Sequence, residues 1–104
     1  MEVLWNEARR RWRAMFETLQ AGLDVPPGQR LRLEGLMEAI ALLEPGCQDA
    51  LQDAMDAQYQ QVFGRSLGQD FGDQWRTFYA FPQIPAVMQR APVWPSTADQ
   101  SGPG

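Results

Sequence analysis

Trp5, Ala8, Trp12, Met15 and Leu19 recur at alternating spacings of three and four along EVLWNEARRRWRAMFETLQAG. That period belongs to one face of an α-helix, so the start of the chain is committed to an amphipathic helix with a face that needs covering. Leu4 and Phe16 widen the stripe, Gly22 is a stop, and DVPPG turns the chain into its next element. The rest of the chain has to supply partners for that face.

The next segments do so with the same period. Asp24 is a capping residue, and Pro26 and Pro27 suit a first helical turn, where a missing N–H costs nothing. A second helix then runs to about Leu43, with Leu33, Leu36, Met37, Ile40 and Leu43 as its main stripe. Leu31, Ala39 and Leu42 fall on a different side, with Gly35 between them. A helix apolar on two sides is buried on two sides, which makes this one either the central element or half of a subunit contact. After EPG, a third helix carries Cys47, Leu51, Ala54, Met55, Tyr59 and Val62 inward and Asp49, Asp53 and Asp56 outward.

Past Gly64, the residues Ser66 to Gln69 match a capping box, which predicts a fourth helix with Phe71, Trp75, Phe78 and Tyr79 on one face. Gly68 and Gly72 each weaken such a helix by about 1 kcal/mol relative to Ala, so it depends on tertiary contacts. Pro82 ends it near Phe81. Prolines then recur up to Pro95, with one further turn of helix expected from Pro85 to Arg90. The expected organisation is an all-α domain over 1–81, a small three- to four-helix bundle, a Pro-rich and partly extended segment over 82–95, and a disordered tail over 96–104. At 104 residues the chain makes one core, not two.

Residue types absent from the chain exclude most chemistries. There is no histidine and one cysteine, which removes His-containing triads, Cys–His dyads, His-ligated metals, thiolate zinc sites and internal disulfides. The reading is therefore non-enzymatic, with no cofactor and no metal. No apolar stretch approaches the roughly 20 residues that span a bilayer, and the amino terminus lacks the apolar core of a secretion signal. A cytoplasmic protein is expected. The formal charge is −4, and all of it falls within residues 25–64, where Arg30 and Arg32 face Glu34, Glu38, Glu44, Asp49, Asp53 and Asp56.

Three local patterns invite functional readings. RRRWR at 9–13 suggests a nucleic-acid surface through Arg9, Arg10 and Arg13. The domain is net acidic, however, and Glu7 and Glu17 stand at intrahelical pairing distance from the arginines, which favours a self-paired solvated face. The Asp49, Asp53, Asp56 stripe lacks the loop geometry of a calcium site and reads as a solvated surface to which a basic partner, or the Arg face of a second copy, could dock. Cys47, in the first turn of the third helix, lies on the apolar stripe without a histidine base and reads as a small hydrophobe.

The stretch QWRTFYAFPQIPAVMQRAPVW from Gln74 to Trp94 concentrates large apolar side chains between prolines. Each contributes about 1.5–3 kcal/mol if buried, so the stretch either straps the protein's own core or docks on another chain. The functional expectation is a small accessory or interaction module that binds a protein partner, or forms a homodimer, through Leu31, Leu42, Trp75, Tyr79, Phe81, Ile84, Val87, Met88 and Trp94. On that expectation, truncation after Phe81 leaves a folded protein that has lost its partner. The alternatives are a nucleic-acid-binding regulator using Arg9, Arg10 and Arg13, and peripheral association with a membrane or hydrophobic granule through Trp75 to Trp94.

Overall fold

The three apolar stripes form the three long helices that their periods predict. The computed structural model describes residues 1–90, and no strand occurs among them. Helix α1 spans Glu2–Gln20, α2 spans Pro27–Leu43 and α3 spans Gln48–Phe63. Three short helices come after them: α4 at Leu67–Phe71, α5 at Trp75–Phe78 and α6 at Pro85–Arg90. This is the all-α bundle expected, and no helix among the described residues is long and apolar enough to cross a membrane.

Cross-helix contacts fix how the long helices run. Trp5 near the start of α1 donates its indole N–H to Glu44 just past the end of α2, at 3.2 Å, so α1 and α2 are antiparallel. Gln20 at the end of α1 donates to the Val62 carbonyl at 2.7 Å, and Phe16 meets Tyr59 edge-on with ring centroids 5.2 Å apart, so α1 and α3 are parallel. Ala8, Trp12, Met15, Phe16 and Leu19 of α1 are buried against Leu33, Met37 and Ile40 of α2 and Leu51, Met55 and Tyr59 of α3. The Trp12 indole N–H lies inside this core with no hydrogen-bond partner among the described residues. Leu43, expected on the inward stripe of α2, is instead 64% exposed. It is the last helical residue, and the chain turns away at Glu44 before its side can be covered.

The fourth helix departs most from expectation. Its capping box forms: Gln69 N–H donates to Ser66 Oγ at 3.0 Å and Ser66 N–H donates to Gln69 Oε1 at 2.8 Å. The helix then stops at Phe71, because Gly72 takes φ +99°, a conformation that a helix cannot contain and that glycine alone adopts cheaply. The chain restarts as α5 with a different rotation. Trp75 points into the core while Phe78, expected beside it, is 76% exposed.

Tyr59 ties the short helices to the long ones. Its ring packs on Phe63 at 4.5 Å and on Phe71 of α4 at 6.1 Å, and Phe71 in turn meets Tyr79 at 6.0 Å. Its hydroxyl donates to Asp70 Oδ2 at 2.5 Å, while Arg65 Nε donates to Oδ1 of the same carboxylate at 2.5 Å. Those two hydrogen bonds, Arg65's first, hold the Asp70 carboxyl below its ordinary pKa. Burial, with the adjacent carboxylate, pushes the Tyr59 phenol well above its own. On α3, Asp56 accepts the Leu67 amide at 2.7 Å and Asp53 accepts Arg76 at 2.5 Å. The aspartate stripe expected to be solvated therefore fastens α4 and α5.

As far as Arg90, the Pro-rich segment packs on the protein's own core, and residues 91–95 with the tail expected over 96–104 lie outside the described residues. Ile84, Pro85, Ala86 and Val87 are buried, and α6 packs on α1 and α4. Truncation after Phe81 thus strips apolar cover from the bundle, contrary to the sequence expectation. Loss of stability is the expected outcome, and Ile84→Ala alone should cost about 2–5 kcal/mol in denaturant unfolding. A second expectation concerns acid. Because the folded-state pKa of Asp70 is lowered, its stabilisation is complete above the unfolded value of about 4 and is lost as pH falls through the folded one. Asp70→Asn should lower the melting temperature near neutral pH and flatten its decline below about pH 4.

Candidate functional site

Three leucines face outward on α2 or at its end. Leu31 is 56% exposed and Leu42 81% exposed, and their separation of three helical turns puts them on one side. Gly35 between them has no atom within 4 Å of where a Cβ would stand. This side of the helix is open along its length.

At its carboxyl-terminal end the open face becomes concave. Glu38, Ala41 and Leu42 from α2, Gln48 from the start of α3, and Phe81 and Pro82 from the chain after α5 enclose a groove of about 460 Å³. Its position follows from the fold. The antiparallel turn at 44–47 brings Gln48 beside the end of α2, and the chain from α4 to Pro82 runs back along α3, as the Arg76 pairing to Asp53 at 2.5 Å and its approach to Asp49 at 4.0 Å show. Phe81 and Pro82 arrive opposite Leu42. The result is an apolar floor of Ala41, Leu42, Phe81 and Pro82 with Glu38 and Gln48 as polar members.

Two of the residues read from the sequence as partner-binding, Leu42 and Phe81, are brought together in this groove. Leu31 lies on the same helix face outside it. Trp75, Ile84 and Val87 are buried in the protein's own core, Tyr79 is half-buried against Phe71, and Met88 is half-buried beside the buried α6 residues. Trp94 lies outside the described residues. Glu38, Ala41, Gln48 and Pro82 were not singled out from sequence. Glu38 stands one turn before Leu42, a spacing that marks it as a neighbour, but nothing local announces that Pro82 approaches from the other end of the chain.

The arginine face of α1 is occupied by its own helix. Glu7 accepts Arg10 at 2.5 Å and Arg11 at 2.7 Å. These hydrogen bonds hold its carboxyl down to about 2. Arg9 donates to Asn6 at 2.9 Å and lies over the Trp5 ring at 5.5 Å. Arg13 bonds Gln58 at 3.3 Å and Gln61 on α3, in place of the expected intrahelical pair with Glu17. Cys47 is buried at the N-cap of α3, and burial, with Glu44 nearby, raises its thiol pKa. No three Cys, Asp or Glu side chains converge as a metal site among the described residues.

No protein-family model matches the chain, and neither a curated protein nor a solved structure matches it significantly. Because Leu42 is exposed, Leu42→Gln should leave the unfolding free energy within about 0.5 kcal/mol of the parent protein, as surface substitutions do.

Proposed function

We propose that the protein is a non-enzymatic interaction module, an accessory subunit working in the cytoplasm, whose docking site is the groove between α2 and Phe81. The observation that supports this reading is the convergence of Leu42, Ala41, Phe81 and Pro82 in one concavity, continuous with the uncovered side of α2 that carries Leu31. Soluble proteins rarely leave large apolar side chains clustered at the surface unless something covers them. A concave apolar site with a few polar members is the usual form of a binding site.

The mode of binding differs from the one expected from sequence. Ile84, Val87 and Trp75 act from below, by holding the chain so that Phe81 and Pro82 form one wall. Leu42 and Phe81 make the contact. Affinity capture from native extract with the full chain tests the reading: proteins retained by the parent and lost with Leu42→Gln, whose stability is unchanged, are the expected result. Equal capture by both would remove the groove from the function.

A further inference from the structure

The charge around the groove identifies what enters it. This inference rests on the groove being the docking site. We propose that its occupant is the apolar face of a basic amphipathic helix belonging to another protein.

The floor fits one side of a helix. Helices laid in grooves anchor through residues three, four and seven apart, and a groove of about 460 Å³ is of the size that takes a few large side chains. The rim specifies the sign of the flanking charge. Glu38 is part of the lining and has no cation at ion-pair distance among the described residues. Asp49 directly follows Gln48 of the lining, and its side chain is 91% exposed, with Arg76 only at 4.0 Å.

Among the described side chains, none of the neighbouring cations pairs with Glu38. Arg76 is held at 2.5 Å by Asp53. Arg30 makes two contacts of 3.1 Å with Glu34. Arg32 sits about 9 Å along α2 from Glu38 and on another side of the helix. The groove thus carries one exposed carboxylate, Glu38, with no paired cation among the described residues, and Asp49 stands just beyond Gln48 with its single ion-pair contact at 4.0 Å.

The pairing of the arginines also argues against a second copy as occupant. The basic surface that another molecule of this chain would offer is the arginine face of α1, where Arg9, Arg10 and Arg11 are already engaged by Asn6, Glu2 and Glu7 and Arg13 by Gln58 and Gln61 of α3. Breaking those pairs to satisfy Glu38 exchanges one ion pair for another. A foreign helix bearing unpaired Lys or Arg incurs no such exchange, and its attraction is electrostatically complementary.

The experiment uses the full chain and three fluorescent peptides of about four helical turns: a Leu/Lys amphipathic helix, its Leu/Glu counterpart, and the Leu/Lys composition in scrambled order. Anisotropy should show saturable binding of the Leu/Lys helix alone, weakening steeply between about 50 and 500 mM salt as screening shortens the reach of the rim carboxylates. Leu42→Gln should weaken it about tenfold and Glu38→Gln about threefold, while Leu23→Gln, at an exposed position outside the groove, changes nothing. Equal binding of the Leu/Glu helix with a Leu42→Gln loss would overturn the charge assignment and leave the groove standing. Binding of the scrambled peptide, unaffected by Leu42→Gln, would overturn both. Failure of the Leu/Lys helix to bind at low salt overturns the occupant, with the capture experiment still deciding the groove. A dimer by light scattering that Leu42→Gln converts to monomer would assign the site to a second copy instead.

Discussion

The hydroxyl of Tyr59 is the point on which the arrangement of the short helices depends. Its ring is buried between α1 and α4 while its oxygen reaches the Asp70 carboxylate at 2.5 Å, so one residue joins the apolar core to the charged surface. Burying a phenol without an acceptor costs about 1–3 kcal/mol. Here the acceptor is fixed in turn by Arg65, and α4 is held by its own capping box. The segment from Ser66 to Tyr79 is positioned around that junction: α4 by the carboxylate, Phe71 and Tyr79 by ring contacts, and the return of the chain along α3 by the pairing of Arg76 with Asp53.

The aspartates of α3 show how a charged stripe can be structural. Asp53 and Asp56 take a guanidinium and a backbone amide from the following segment, and Asp49 is left at the helix start, near the groove. An exposed ion pair of this kind contributes little by itself, about 0–1 kcal/mol. Its effect here is directional, since it selects where a glycine-weakened segment lies.

The sequence made the long helices legible because each carries its own evidence, a three-four spacing that only one local structure satisfies. That argument alone places Trp12, Met37 and Met55 in the core, but it also asks for a second buried side of α2, and Leu31 and Leu42 on that side are exposed. The capping box at Ser66 was equally local. What was not legible depends on pairs distant in the chain or on a single backbone torsion. Arg13 has an intrahelical carboxylate available and bonds Gln58 and Gln61 instead, which no spacing rule on α1 reveals. Phe78 satisfies the helical face of Phe71 and Trp75 on paper, and one torsion at Gly72 rotates it into water. The groove was half visible for the same reason: Leu42 stood out on α2, whereas its meeting with Phe81 and Pro82 follows from the path of the chain between them.

Gly72 decides between two readings of one segment. An added Cβ there would meet nothing within 4 Å, so space does not defend the position. Its backbone conformation, φ +99° with ψ 154°, is the constraint. With that torsion the segment is two short helices, Trp75 is inside and Arg76 reaches Asp53. With a helical torsion the same letters spell one continuous helix, with Phe71, Trp75 and Phe78 along one edge. The two arrangements differ in which aromatic ring faces inward and in where Phe81 is delivered. A hydrogen atom where other residues carry a methylene or methyl group therefore sets the shape of a wall formed nine residues further on.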